Sequence, residues 1–206
     1  MSTAIIILTL DEIDGVRAIV PKLNKDWAEE IIFVDGGSKD GTIEEAKKLG
    51  FEVIHQNNKG EGNACRIGVE KTNSDYIIFF SPDGNDEQDE IPNLIKKIEE
   101  GFDIVHISRF GNRMFTVLVN VFFGGHYSDA LNGFRIIRRD IMLKLKTDAQ
   151  HLNIEQQICI RAAKEGYKVF EINGREPNRI GGQRKMKPLP TGASLSLQII
   201  KEFIFW

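Results

Sequence analysis

The chain has 206 residues, 41% hydrophobic and 28% charged, which allows one sizeable core and argues against disorder. Its net charge of −3 argues against a general nucleic-acid binder, and no apolar run approaches the ~20 residues that a membrane-spanning helix needs. The two cysteines, Cys65 and Cys159, lie far apart without metal-type spacing and read as small core residues in a reducing compartment.

The opening MSTAIIILTLDEID has no basic region before its apolar run and turns acidic too soon for a signal peptide, so a cytoplasmic protein is expected. Residues 4–10, 30–36, 51–56, 75–81 and 103–109 are short apolar runs rich in isoleucine, valine and phenylalanine. Being continuous and not alternating, they predict strands covered on both faces, as in a parallel sheet. Helical patterns separate them. Ile91, Leu94, Ile95 and Ile98 form an i, i+3, i+4, i+7 stripe that stops at Gly101. Asp40 or Thr42 can cap a helix carrying IEEAKKL, which stops at Gly50.

This βαβ alternation predicts an α/β fold, a mostly parallel open sheet with helices on both faces. In such sheets ligands sit beyond the carboxyl ends of the strands, which gathers Asp11, Asp35 and the 81–86 turn around one crevice. Beyond residue 110 the pattern loosens. MFTVLVNVFF (114–123) is apolar nearly all round, and GGHYSDALNGFR makes a polar connection. A helix is expected over 153–164 and a strand over 168–172, followed by a basic loop and an apolar carboxyl-terminal helix.

Four segments carry chemistry. In VDGGSKDGT (34–42) Asp35 at a strand end can meet a ribose or base edge while glycines admit the ligand; a capped strand-to-helix turn reads equally well. KGEGNACRIG (59–68) lacks the third glycine of a dinucleotide fingerprint, yet Lys59 and Arg66 would make its helix start attractive to phosphate. Alone, a plain helix start is the simpler reading.

In FFSPDGNDEQDE (79–90), Asp83 follows the strand and Asn85 offers a carbonyl, an oxygen set suited to Mg²⁺ beside substrate phosphates. Asp89 and Glu90 fall where a helix dipole favours acids in any case. Arg175, Arg179, Arg184, Lys185 and Lys187 form a glycine-jointed basic segment, either a solvated loop or one that closes on phosphates.

Taken in order, these segments resemble family 2 glycosyltransferases of the GT-A fold, nearest the dolichyl-phosphate mannose synthase type, over about residues 4–187. LTLDE (8–12) resembles the family's nucleotide-binding turn and implicates Thr9, Leu10 and Glu12. VDGGSKDGT resembles VDDGSxDGT, with Gly36 in place of the second Asp. KGEGNACRIG resembles KGxGxAxxxG and implicates Lys59, Gly60 and Arg66. DALNGFRIIRRD (129–140) resembles DxxSGFRxxxR, and NIEQQI (153–158) carries Glu155 where the family has a Glu. RIGGQRKM (179–186) resembles RxxGxSKM, with Arg184 where Ser is usual. The family's DxD reads Ser-Pro-Asp here, so Ser81 weakens the expected site for Mg²⁺ or Mn²⁺ at Asp83 and Asn85.

The resemblance implies one glycosyltransferase domain over 1–206, with a nucleotide-sugar-binding half (1–110), an acceptor-binding half (111–191) and an apolar helix (192–206). It implies an inverting hexosyltransferase, its donor a nucleotide sugar held by the 8–12 turn, Asp35 and the 59–66 segment. Arg135, Arg179 and Lys185 would hold phosphates. A polyprenyl phosphate acceptor needs no base; for a glycan hydroxyl acceptor the base would be Glu155 or Asp129. Peripheral contact at the cytoplasmic membrane face and homo-oligomerisation are also expected. Ser81 leaves room for a non-catalytic nucleotide-sugar-binding homologue. A nucleotidyltransferase is disfavoured because LTLDEID lacks a glycine-rich loop after the first strand.

Overall fold

The computed structural model describes residues 1–109, 113–175, 177–181 and 186–205. Strands β1 (Thr3–Thr9), β2 (Glu30–Asp35), β3 (Val53–His55), β4 (Tyr76–Phe80), β5 (Ile104–Ser108), β6 (Arg135–Arg138) and β7 (Val169–Asn173) form one sheet in the order β3-β2-β1-β4-β6-β5-β7. All run parallel except β6, which pairs antiparallel with both β4 and β5. The sequence predicts six of these strands. It does not signal β6, whose four residues, RIIR, hold two apolar side chains between charges.

Alternate residues of each strand feed opposite layers, the period-2 geometry of a pleated sheet. Ile5, Ile7, Phe33, Ile78 and Phe80 pack beneath helices α1 (Ile13–Ile19) and α4 (Ile91–Glu99). Ile6, Val34, Ile77 and Phe79 pack beneath α3 (Glu61–Lys71), α6 (Arg139–Lys144) and α7 (Asn153–Glu165). A further short helix, α2 (Thr42–Lys48), puts Ala46 into the first layer. The α4 stripe behaves as the periodicity predicts: Ile91, Leu94 and Ile98 are buried, Pro92 occupies the first turn, where its missing N–H costs nothing, and Gly101 follows at φ 94°.

A third cluster joins α7 to α5 (Arg113–Phe123) and α8 (Pro188–Phe205) through Val119, Cys159, Ile160, Leu195 and Ile199. Glu202 of α8 is fully buried and bound on both carboxylate oxygens by the Arg161 guanidinium at 2.8 and 2.9 Å, with Gln157 and Gln198 donating at 2.7 Å. This polar lock fixes α8 against α7, because a buried charge left unpaired costs several kcal/mol. Each outer helix then keeps a second apolar stripe in solvent: Met114, Val117, Val121 and Phe122 on α5, and Leu197, Ile200, Phe203 and Ile204 on α8. Phe122 and Phe203 meet edge-on at 6.0 Å, so the stripes are contiguous. No helix among the described residues is long and apolar enough to cross a membrane.

Candidate active site

The crevice opens where β1, β2, β4 and β5 end, the position an open α/β sheet reserves for ligands. Its first wall is built by lacing two turns together. Asp11 takes a left-handed φ of 50°, which Asp tolerates better than most residues; its N–H donates to Ser38 Oγ, and its carboxylate accepts from the Lys39 N–H. The Asp40 carboxylate accepts the N–H groups of both Ile13 and Thr42, serving the starts of α1 and α2 at once. Thr42 Oγ1 in turn accepts the Glu12 N–H. Asp35 is the keystone: fully buried, its carboxylate accepts from Thr9 Oγ1, Ser38 Oγ and the N–H groups of Gly37 and Ser38. Its lone pairs are spent on the turn, so it shapes the wall from beneath.

The acidic turn forms the second wall. A Cβ on Gly15 would stand 1.7 Å from the Pro82 carbonyl oxygen, so only glycine lets α1 approach the turn this closely. Asp83 Oδ1 accepts the Asn85 N–H at 2.8 Å, and the Asn85 amide nitrogen, not its carbonyl, faces Asp83 Oδ2. Asp86 is buried, accepts the Ser81 N–H and pairs with Arg109 at 2.8 Å. Burial pushes its pKa up to about 6 despite Arg109.

The basic segment is stitched to this turn. Ile180 N–H donates to the Asp83 carbonyl at 2.8 Å, and a Cβ on Gly84, at φ +92°, would stand 2.7 Å from the Ile180 nitrogen. Arg179 joins both walls: Nη1 lies 2.8 Å from Asp83 Oδ2, and Nη2 contacts Glu12 Oε1.

The floor comes from α3, α7 and the 131–134 loop. Glu155 is 2% exposed and pairs with Arg135 Nη2 at 2.5 Å. Arg135 is fully buried because the β6 register sets it opposite Phe79 and His106, inside the sheet. Glu61, at the start of α3, converges on the same place: a Cβ on Gly133 would stand 3.2 Å from Glu155 Oε1 and 3.6 Å from Glu61 Oε1. Burial pushes both carboxyls above their ordinary range, with Glu155 adding to the shift at Glu61 and Arg135 opposing it at both.

Asp129 is held as part of a second relay. Its carboxylate accepts the N–H groups of Arg109 and Leu131. Its own N–H, with that of Ser128, donates to Glu171, which lies 2.7 Å from the buried His106 Nε2. Burial alone would raise Glu171; the His106 bond and those backbone donors hold it at about 2.

Together these walls enclose a cleft of about 760 Å³. Of the residues the sequence singles out, Thr9, Leu10, Glu12, Lys59 and Gly60 line one side. Asp83, Asn85, Asp129, Glu155 and Arg179 line the rest. Three lie elsewhere. Asp35 sits beneath the turn, and Arg135 lies under the floor. Arg66 donates to the Ala149 carbonyl at 2.7 Å and so braces the loop before α7. Lys185 and Arg184 lie outside the described residues.

Sequence reasoning missed Glu61, Asp86 and Arg109, all of which line the cleft. Asp86 is one of several acids in the 83–90 turn, and Arg109 closes the apolar run 103–109. Neither has a local pattern that reveals an inward side chain.

Among the described residues no group of three His, Cys, Asp or Glu side chains converges as a ready metal cage. A one-carboxylate site still fits Mg²⁺ or Mn²⁺, which bind through one or two protein carboxylates plus substrate phosphates. Asp83, which lines the cleft with its Oδ2 2.8 Å from Arg179 Nη1, is the carboxylate that would serve such a site.

The family described as glycosyl transferase family 2 matches residues 4–120, more than half of the chain. A glycosyltransferase of Haloferax volcanii, AglJ, is 24% identical over 94% of this chain and 69% of its own length. The dolichyl-phosphate hexose transferase of the same organism is 25% identical over 96% of this chain and 92% of its own. Among solved structures, glucosyl-3-phosphoglycerate synthase of Mycobacterium tuberculosis, in complex with Mn²⁺, uridine diphosphate and phosphoglyceric acid, superposes with a TM-score of 0.80. It shares 20% identity over 98% of this chain and 77% of that one, a likeness that shows the fold: GT-A.

Proposed function

The chain belongs to glycosyltransferase family 2, and we propose that it moves a hexose from a nucleoside diphosphate to a polyprenyl phosphate at a membrane surface, with inversion at the anomeric carbon. The observation that carries the acceptor reading is the contiguous apolar surface of α5 and α8 in solvent. The start of α8 itself borders the cleft, through Pro190 and Thr191, with Lys187 just before it. Apolar side chains ending in phenylalanine suit the boundary of a bilayer, and Lys187 at the rim suits an anionic headgroup. The similarity to a dolichyl-phosphate hexose transferase supports the same class of acceptor.

In this reading the 9–12 turn and the Lys59–Gly60 segment take the nucleotide. Asp83, with Asn85 beside it, would hold Mg²⁺ or Mn²⁺ together with the donor diphosphate, and the cation would neutralise the leaving group. Arg179, anchored between Glu12 and Asp83, brings its charge to that diphosphate as a charge-assisted contact. The acceptor phosphate oxygen is ionised at neutral pH, so it attacks the anomeric carbon from the face opposite the diphosphate without a protein base. Asp129, whose carboxylate is committed to two backbone N–H groups, then orders the acceptor side of the cleft. A transfer assay that compares polyprenyl phosphate with water-soluble acceptors tests the proposal.

A further inference from the structure

Glu61 has no evident role in holding the fold together. Among the described residues its side chain has neither a hydrogen-bond partner nor an ion-pair partner, although it is partly buried at the wall of the cleft. What it approaches is a second carboxyl, Glu155, across the bare backbone of Gly133. One guanidinium, Arg135, serves the pair, and it contacts Glu155. This part of the cleft therefore meets a ligand with carboxyl groups and not with a cation, since Glu61 and Glu155 line it and Arg135 lies beneath.

It is well suited to hydroxyl groups. A carboxyl whose protonated form is favoured by burial can both donate and accept, which matches a sugar hydroxyl, itself donor and acceptor. Leu131 and Leu152 line the same cleft and offer apolar surface to the C–H face of a ring.

We propose that Glu61 and Glu155 form the hexose subsite of the cleft: their carboxyl groups hydrogen-bond neighbouring hydroxyls of the transferred sugar, and Glu61 selects which hexose is accepted. This deepens the donor half of the proposed function and does not depend on the acceptor.

Calorimetric titration in Mn²⁺ with uridine and guanosine diphosphates, and with their glucose, mannose and galactose conjugates, tests the assignment. The unaltered chain binds one hexose conjugate more tightly than its parent diphosphate. Glu61→Ala loses at least tenfold in affinity for that conjugate while its affinity for the parent diphosphate stays within twofold; Glu61→Gln, which keeps one donor and one acceptor, falls between. A conjugate lacking the contacted hydroxyl binds Glu61→Ala and the unaltered chain equally. Thermal unfolding of Glu61→Ala is unchanged or shifted upward, because no fold contact is lost.

Equal losses for conjugate and parent diphosphate, or a hexose preference that survives Glu61→Ala, would overturn the inference and leave the transferase reading intact. A large drop in unfolding temperature would make Glu61 a structural residue. Failure of the unaltered chain to bind any conjugate would overturn the donor reading and this inference together.

Discussion

Arg179 Nη1 stands 2.8 Å from Asp83 Oδ2, on the carboxylate that the metal reading requires. The guanidinium and a divalent cation therefore compete for the same oxygen, and the competition has a measurable sign. Arg179→Ala should bind Mn²⁺ alone several-fold more tightly than the unaltered chain. The same variant should bind donor about tenfold to a hundredfold more weakly, since hydrogen bonds to charged groups contribute about 1.5–3 kcal/mol. Titrations with Mn²⁺ alone and with donor separate the two; parallel losses would mean that Arg179 shapes Asp83 instead of competing for it.

Asp83 and Asp86 lie three residues apart and should fail differently. Asp83→Ala removes metal-dependent donor binding while leaving most of the stability, because Arg179 retains Glu12 as a partner. Asp86→Ala strands Arg109, whose side chain is only 10% exposed, and should destabilise the fold by about 3–5 kcal/mol. Chemical denaturation of the two variants, read beside donor titration, checks the contrast. Similar denaturation midpoints would contradict it.

The Glu171 relay predicts an acid-sensitive fold. Its carboxyl is held at about 2 against an ordinary 4.5, so the stability it contributes is complete above pH 4.5 and is lost as pH falls toward 2. The buried His106 acts in the same direction. Burial lowers its pKa below 6.5, so stability falls as pH drops below that value and the unfolded chain takes up the proton first. Glu171 alone accounts for about 3 kcal/mol across its window. Glu171→Gln should be less stable at pH 7 and show a shallower acid limb in denaturation measured from pH 7 to pH 2. It should also lower turnover, because the Ser128 and Asp129 N–H groups donate to different Glu171 oxygens and a glutamine keeps only one acceptor for the two.

Much of this architecture was legible beforehand. Continuous runs such as AIIILTL and YIIFF leave little alternative to doubly covered strands, and the α4 stripe is unambiguous. β6 was not legible, since four residues with arginine at both ends carry no period. The same local ambiguity explains the site. Arg135 and Arg66 look like phosphate cations because arginine is expected at surfaces, yet β6 register and the 147–149 carbonyls claim them. Asp35 marks a ligand-facing strand end, but the small polar groups around it, Thr9 and Ser38, absorb its lone pairs. Glu61, next to the Lys59–Gly60 pair, reads as an ordinary first-turn acid until tertiary structure brings Glu155 and Gly133 against it.

Membrane contact has its own test. Truncating α8 would uncover Leu195 and Ile199 and break the Arg161–Glu202 lock, so surface substitutions are cleaner. Val121→Asp with Ile200→Asp, at positions 71% and 53% exposed, should abolish binding to anionic liposomes. Unfolding free energy should move by no more than about 0.5 kcal/mol per site, with donor binding unchanged. Liposome binding that survives both changes would remove the α5–α8 surface from the account.

The central claim is the class of acceptor. Purified chain, Mn²⁺ and a radiolabelled panel of UDP- and GDP-hexoses should be incubated with a polyprenyl phosphate in anionic vesicles and, in parallel, with phosphoglyceric acid and free sugars. Label that partitions into organic solvent, and is released from the lipid by mild acid, is the predicted result. It should disappear in Asp83→Ala and fall in Val121→Asp/Ile200→Asp. Label transferred to a water-soluble acceptor, with none reaching the lipid, would contradict the claim and direct attention to Glu155 or Asp129 as the base for a hydroxyl.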